Sequence, residues 1–146
     1  MRSIAIYIDR MVNNMGAEMS LPAGLRAASG VLGIYVAVTV GTIVALAVMS
    51  SAAPPLATPG AWGHALIVAV FAVVLPLRMR AARRGSVRGL VAVAVVAAVL
   101  VVVNVVEAAL PGAFPGWMRI EMVAIAVLMA VLASLAARSL RRPRRG

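Results

Sequence analysis

Four long apolar runs, separated by short breaks, constrain the fold of this chain more than any other feature. The runs cover residues 27–51, 62–79, 89–109 and 117–137. A helix needs about 20 apolar residues to cross the hydrocarbon core of a bilayer, which is about 30 Å thick. The chain is 64% hydrophobic over 146 residues, which is too apolar for one soluble domain of this length. The sequence therefore predicts an all-α membrane protein, a bundle of four transmembrane helices.

Two of the breaks contain residues that end a helix. The stretch SAAPPLATPG carries three prolines and one glycine, and LPGAFPG carries two of each. Proline removes a backbone donor and clashes with the preceding helical turn, so both stretches predict turns. Pro76 lies near the end of the second run and predicts a kink, since neighbouring helices can satisfy the freed backbone groups.

The arginines lie in three blocks, which predict the orientation of the chain. Arg2, Arg10 and Arg26 precede the first run, a second block fills the middle connection, and a third follows the last run. Cytoplasmic segments of membrane proteins are enriched in basic residues. Both termini are therefore predicted to be cytoplasmic, in a multi-pass protein. Arginine without any lysine, beside many alanines and valines, is typical of high-GC bacterial genomes, so the membrane is expected to be a bacterial plasma membrane. Trp62 and Trp117 then fall at the outer ends of their runs, where amphipathic rings are common.

The basic connection and the basic tail, residues 138–146, are expected to contact anionic lipid headgroups on the cytoplasmic side. Each arginine near such a surface adds about 1 kcal/mol of attraction. We do not expect nucleic acid as a partner despite the net charge of +10, because aromatic residues that could stack on bases make up only 4% of the chain. The headgroup candidates are Arg78, Arg80, Arg83, Arg84, Arg88, Arg141, Arg142, Arg144 and Arg145.

Residues 1–26 are predicted to form a cytoplasmic segment with an amphipathic helix. Its apolar residues recur at spacings of three and four, as on one face of a helix; they are Ile4, Ile8, Met11, Met15 and Met19. Such a helix lies in the membrane interface. We favour a simple surface anchor over a docking helix for a partner or a sensor of lipid packing.

A cleaved signal peptide is the alternative interpretation of the first run, because small residues follow it in SSAAPPLA. The apolar region of a signal peptide spans about 7 to 15 residues. Here 26 residues precede a longer apolar run, so we expect an uncleaved span.

Small residues recur every four positions in the first run, at Gly33, Ala37, Gly41 and Ala45. Helices in lipid associate through close backbone approach, which small residues permit. We name these four residues the α1 stripe and predict that they form the packing face of their helix. Packing within the bundle is the interpretation we favour, and a homodimer through the same stripe is the alternative.

Polar side chains gather near the outer ends of the last three runs: His64, Asn104, Glu107, Arg119 and Glu121. At about 1.5 Å of rise per residue, His64, Glu107 and Glu121 lie at a similar depth. Arg119 and Glu121 point about 200° apart, so they cannot both face the third helix. Either Arg119 pairs with Glu107, or Glu121 faces the bundle near His64 or Glu107 while Arg119 reaches the headgroups.

This set of side chains has two interpretations. An ionisable group at the bilayer centre costs about 2.5 to 3.5 kcal/mol and marks a functional site by default. These groups lie near the interface, where the cost is smaller, so we favour a salt-bridged seam over a proton, cation or ligand site. Interhelical hydrogen bonds average about 0.6 kcal/mol, so Asn104 and the hydroxyls of Tyr35, Thr39 and Thr42 are expected to be structural.

The residue types that most enzymes require are scarce. Cysteine is absent and there is one histidine, which excludes disulfides, thiolate nucleophiles and metal sites built from cysteine or two histidines. No P-loop, nucleophile elbow or HExxH motif occurs. We therefore expect no enzymatic activity and no cofactor.

In composition, topology and the hairpin sequence FPGWMRIEM, the chain resembles small four-helix integral membrane proteins of high-GC actinomycetes. This resemblance implies no particular activity. The small multidrug transporters also have four spans, but that family carries a buried carboxylate in the first span, and residues 27–51 contain none.

Three functions remain open at this stage. We favour a non-enzymatic integral membrane accessory or interaction protein. One alternative is a small proton- or cation-coupled transporter or channel that uses Glu107 and Glu121. Another is a holin-like pore former, which the small size and basic tail suggest. Fold alone decides none of them.

Overall fold

The computed structural model describes Ile4, Ile6, residues 8–12 and residues 23–141. Regular secondary structure in that part of the chain is helical throughout. From residue 23 onward it comprises α1 (Ala23–Ala52), a short 3₁₀ helix (Pro54–Leu56), α2 (Pro59–Arg83), α3 (Val87–Ala109) and α4 (Gly116–Arg141). Each of α1 to α4 is long and apolar enough to cross a membrane. The four predicted spans are thus confirmed as helices, each extending somewhat beyond its apolar run.

The predicted amphipathic segment lies mostly outside the described residues. Its described members, Ile4, Ile6 and residues 8–12, are helical and exposed. Met15 and Met19 fall outside the described part, as do Arg142, Arg144 and Arg145 of the tail. The interfacial anchor therefore stays a prediction.

Helix α2 is longer than its apolar run because its first turn is capped. The Thr58 hydroxyl accepts a hydrogen bond from the Ala61 N–H at 3.2 Å, and Pro59 occupies the first helical position. A threonine cap followed by proline satisfies or removes donors that have no partner within the helix. The helix then continues through Pro76 to Arg83.

The connection from α2 to α3 is a tight turn that depends on two glycines. Gly85 has a φ of +89°, which glycine adopts without strain, and its N–H donates to the Ala82 carbonyl at 3.0 Å. Ser86 then caps α3 by accepting from the Gly89 N–H at 3.1 Å. A Cβ at Gly89 would lie 2.9 Å from the Ala82 nitrogen. Only glycine therefore fits this close approach of α3 to α2 without a backbone shift.

The four long helices form an up-and-down bundle. Each packs against its neighbour in the chain, α4 closes the ring against α1, and the contact between α3 and α4 is the most extensive. We name the end with the connections at 53–58 and 110–115 the proline end. The opposite end, with the connection at 84–86, the start of α1 and the end of α4, is the arginine end.

Large apolar side chains fill most of the interior. A core cluster runs from the arginine end past the middle of the bundle and includes Leu32, Leu75, Leu100, Ile125 and Leu132, none more than 4% exposed. A smaller cluster lies at the proline end. Valine, leucine and isoleucine side chains are also exposed along every long helix. Such an outer surface suits hydrocarbon rather than water.

The α1 stripe lies on the outside of the bundle. Gly33, Ala37 and Gly41 are exposed, and Ala45 is half-buried. A Cβ added at Gly33 or Gly41 would meet no atom within 4 Å. The prediction that the stripe packs within the bundle is therefore wrong.

A different face of α1 is buried. It carries Ala28, Leu32, Tyr35, Thr39, Thr42 and Leu46. The hydroxyls on this face find partners inside the bundle, which lipid could not supply. Glycine and alanine have no polar side chain to satisfy, so they can face outward.

Candidate functional site

Polar side chains from all four helices meet at the proline end. The set, which we name the polar cluster, comprises Thr42 of α1, His64 of α2, Asn104 and Glu107 of α3, and Glu121 of α4. Four of these five were predicted from the sequence. Thr42 was expected to be structural, and its role in the cluster depends on α4 packing beside α1.

His64 and Glu107 form a pair between α2 and α3. The His64 Nδ1 atom lies 2.5 Å from a Glu107 carboxylate oxygen, with the imidazole 4% and the carboxylate side chain 23% exposed. The cap at Thr58 starts α2 so that His64 falls in its second turn. The Phe114 ring packs edge-on against the imidazole, with ring centroids 6.0 Å apart. The other ring nitrogen of His64, Nε2, is buried without a hydrogen-bond partner.

Glu121 and Thr42 form the second contact, between α4 and α1. A Glu121 carboxyl oxygen lies within hydrogen-bonding distance of the Thr42 hydroxyl. The same hydroxyl lies 3.0 Å from the backbone carbonyl of Val38, one turn earlier in α1. Glu121 therefore faces the bundle interior, as one of the two predicted arrangements requires.

Asn104 completes the cluster one turn below Glu107 on α3. It is fully buried, and its side-chain nitrogen donates to the Leu100 carbonyl at 2.8 Å. Its side-chain oxygen is buried without a partner. A buried polar atom without a partner is rare, and the cluster holds two such atoms, the Asn104 oxygen and the His64 Nε2.

Arg119 does not pair with Glu107. Its Nε donates to the backbone carbonyl of Ala108 at 2.8 Å. That carbonyl belongs to the last turn of α3, where carbonyl groups lack partners within the helix and attract cations. Of the two arrangements predicted from the sequence, the one that pairs Arg119 with Glu107 is therefore wrong, because the end of α3 competes for the guanidinium.

The indole groups of two tryptophans donate hydrogen bonds between separate parts of the chain at the proline end. Trp62 Nε1 donates to the Ser50 hydroxyl at 3.2 Å. Trp117 Nε1 donates to the Leu56 carbonyl at 3.3 Å. Both bonds link a long helix to the chain around the first connection.

The interior of the bundle between the polar cluster and the arginine end is mainly apolar. No ionisable residue of α4 lies between Glu121 and Arg138, a distance of about 25 Å along the helix. Leu100, Ile125 and Met129, at most 1% exposed, fill the interior below the cluster. These side chains separate the polar cluster from the arginine end.

The arginines of the arginine end lie on its surface. Arg80 and Arg84 line a shallow groove with Leu77, Ala81 and Ser86. Arg78, Arg88 and Arg141 are exposed and Arg83 is half-buried. The described headgroup candidates are thus positioned where lipid headgroups or water could reach them.

A divalent metal site does not fit the described residues, among which no group of three or more His, Cys, Asp or Glu side chains could hold a metal ion. No known protein family, curated protein or solved structure matches this chain. The chemistry of the polar cluster is therefore what guides the functional argument.

Proposed function

We propose that this protein crosses a bacterial plasma membrane four times with both termini in the cytoplasm, and that its polar cluster binds a proton or a small cation as part of a small transporter or channel. In this orientation the proline end faces the outside of the cell. The arginine blocks support the orientation, since basic segments are retained on the cytoplasmic side.

The polar cluster is the observation that carries this proposal. Two carboxylates and an imidazole lie inside the ends of apolar helices, where each ionisable group is costly unless it is paired. In a purely structural cluster, each buried polar group would be expected to have a hydrogen-bond partner. Here His64 Nε2 and the Asn104 oxygen remain buried and unmatched, which favours a site that exchanges a proton or ligand.

Uptake is proposed from the outside, because the apolar core separates the polar cluster from the arginine end. Passage to the cytoplasm would then require the helices to separate below the cluster. A state that is accessible from the outside and closed toward the cytoplasm is one stage of an alternating-access cycle.

The test is proton flux in liposomes that contain the purified protein and an internal pH indicator, under an imposed potassium diffusion potential. Glu121→Gln keeps the shape of the side chain but cannot ionise, and it should abolish the flux. The matched control is Asp9→Asn, the same acid-to-amide change at an exposed position outside the bundle.

Flux that survives Glu121→Gln would dismiss a role of this carboxyl in transport. If Glu121→Gln and Asp9→Asn lowered the proton flux equally, the loss would reflect general damage to the protein. This result would also contradict the proposal.

The uncovered α1 stripe favours a second candidate function, a non-enzymatic accessory or interaction protein. Gly33, Ala37 and Gly41 expose a flat face of α1 in the membrane, and small residues at this spacing permit close helix packing. The occupant we propose is a second copy of the chain. Energy transfer between labelled copies in bilayers should fall in Gly41→Ile and persist in Val102→Leu, a change on the exposed side of α3.

The arginine end is proposed to bind anionic lipid headgroups of the cytoplasmic leaflet. Exposed Arg80 and Arg84 support this, since they line one groove beside the end of α2. Each is expected to add about 1 kcal/mol of attraction.

A further inference from the structure

Arg119 has hydrogen-bond donors that the fold does not use. Its Nε donates to the Ala108 carbonyl, and among the described residues the guanidinium has no other hydrogen-bond partner. The terminal nitrogens carry the remaining N–H groups of the side chain, which is exposed. Arg119 lies in the first turn of α4, about 4.5 Å from its start. In a helix that crosses a bilayer, this position holds the charge near the membrane surface, which a long arginine side chain can reach.

A groove beside Arg119 lies between the end of α3 and the first turns of α4. We name it the α4 groove; it has a volume of about 410 Å³ and is lined by Ala108, Gly116, Arg119, Ile120 and Val123. Ala108 and Gly116 are small and leave room beside the guanidinium. Ile120 and Val123 are exposed, and Val123 lies one turn, about 6 Å, deeper than Arg119. The α4 groove thus combines a cation near the surface with apolar walls below it.

A molecule that fits the α4 groove carries an anionic group above an apolar part. The planar guanidinium group binds phosphate oxygens through parallel, charge-assisted hydrogen bonds. Exposed apolar side chains at the depth of Ile120 and Val123 suit contact with hydrocarbon rather than water. A phospholipid has both parts in one molecule, with its phosphate at the membrane surface and its acyl chains below.

A second copy of the chain does not supply such an anion. The sequence contains four acidic residues, of which Asp9 and Glu18 precede α1 and lie on the cytoplasmic side in the proposed orientation. The other two, Glu107 and Glu121, bond to side chains within the polar cluster. The charges therefore favour a lipid over another copy of this protein as the partner of Arg119.

We propose that the α4 groove binds one phospholipid of the leaflet at the proline end, with its phosphodiester on the terminal nitrogens of Arg119 and an acyl chain along Ile120 and Val123. Zwitterionic and anionic phospholipids share this phosphodiester, so the α4 groove does not require a headgroup with a net negative charge. The inference rests on the proposed crossing of the membrane, and it does not depend on proton or cation binding by the polar cluster.

Native mass spectrometry of the full-length protein, titrated with lipid in detergent micelles, tests the proposal. The probes are phosphatidylcholine and a digalactosyl diacylglycerol, which has the same acyl chains and no phosphate. The wild type should bind phosphatidylcholine about tenfold more tightly, the effect of a charge-assisted hydrogen bond. Arg119→Gln should remove this preference. Arg138→Gln, the same change at an exposed position in the last turn of α4, should keep it.

A second pair of variants tests the groove without a change of charge. Gly116→Leu places a side chain in the α4 groove and should weaken phosphatidylcholine binding as much as Arg119→Gln does. Gly63→Leu is the matched change on α2 at the same end of the bundle, where a Cβ also meets open space, and it should leave binding unchanged. Gly116→Leu keeps the Arg119 side chain, so this pair decides the question if Arg119→Gln does not fold.

Equal binding of the two lipids by the wild type would overturn the proposal, and so would a preference that survives in Arg119→Gln. Equal losses of binding in Gly116→Leu and Gly63→Leu would assign the effect to the added side chain and would overturn the proposal too. Displacement of phosphatidylcholine by an equal concentration of glycerophosphocholine, which has no acyl chains, would show that the headgroup alone binds. That result would contradict a lipid site.

The lipid titration and the flux experiment fail separately. A wild type that prefers the phospholipid but carries no proton flux would sustain the lipid site and reject transport. Proton flux that depends on Glu121, in a protein without a preference for the phospholipid, would sustain transport and reject the lipid site.

Discussion

The two ends of the bundle hold their charged groups in opposite ways. At the proline end, an imidazole and two carboxyls lie among the helices and bond to neighbouring side chains. At the arginine end, the guanidinium groups lie mainly on the surface and the interior is apolar. The same four helices form both ends, so side chains alone make the difference. One end holds titratable groups inside the bundle, and the other holds permanent charges on its surface.

Removal of one polar or charged side chain at each end should show the difference between the two ends most clearly. His64→Leu leaves the partly buried Glu107 without its partner, and we expect the free energy of unfolding to fall by about 3 kcal/mol, the lower limit for a broken buried pair because Glu107 retains some access to solvent. Arg84→Leu removes an exposed charge and should change the same quantity by less than about 0.5 kcal/mol. Equilibrium unfolding in mixed detergent micelles measures both.

A double variant checks the cause of the His64 effect. His64→Leu with Glu107→Leu replaces the whole pair with apolar side chains, which is often neutral for a buried pair. It should therefore recover most of the lost stability. Equal decreases in the free energy of unfolding in His64→Leu and Arg84→Leu would contradict the proposed difference between the two ends.

The close contact of α2 with α3 should make the arginine end sensitive to volume rather than to charge. Gly89→Ala places a Cβ 2.9 Å from the Ala82 nitrogen, and such overpacking is expected to lower the free energy of unfolding by about 1 to 3 kcal/mol. Gly41→Ala is the matched change at an open position and should cause no loss. The same micelle titration measures both, and a stable Gly89→Ala variant would show that α3 does not approach α2 this closely.

Anionic lipid should stabilise the arginine end and not the proline end. Replacement of Arg80 and Arg84 by glutamine removes about 1 kcal/mol of attraction for each arginine. The protein should be more stable in anionic than in zwitterionic bicelles, and this difference in stability should be smaller in the double variant. Arg119→Gln, at the other end, should lower stability equally in both lipids, because Arg119 binds the Ala108 carbonyl. An unchanged lipid dependence in the double variant would contradict a headgroup role.

The middle of the bundle should depend least on polar contacts. The Tyr35 hydroxyl donates to the Val68 carbonyl at 2.9 Å, and Tyr35→Phe removes this bond while the ring still fills its space. We expect a loss of about 0.6 kcal/mol, the average for interhelical hydrogen bonds in membrane proteins. A loss as large as that of His64→Leu would mean that the polar dependence extends beyond the proline end.

The sequence predicted the helices well because a few local features define them. Apolar length sets each span, and the prolines of 54–59 and 111–115 end the helices whatever the tertiary packing. Most residues of the polar cluster could be predicted from their depth along each helix. His64, Glu107 and Glu121 were expected at one level, and they meet there.

Contacts that depend on helix rotation were predicted less well. The spacing of the α1 stripe shows where backbones could approach, but the hydroxyls of Tyr35 and Thr42 determine which face turns inward. The partner of Arg119 is a backbone carbonyl, which an inventory of side chains does not reveal. The contact of Thr42 with Glu121 joins residues far apart in the chain, and it forms only because α4 closes the ring on α1.

The most direct test of the whole account is the side of the membrane that each end faces. The chain has no native cysteine, so single cysteines at exposed Ala113 of the proline end and exposed Val87 of the arginine end can be labelled without background. With a membrane-impermeant maleimide, we expect Ala113→Cys to react in intact cells and Val87→Cys to react only after permeabilisation. Labelling of Val87→Cys in intact cells, or protection of Ala113→Cys, would contradict the account.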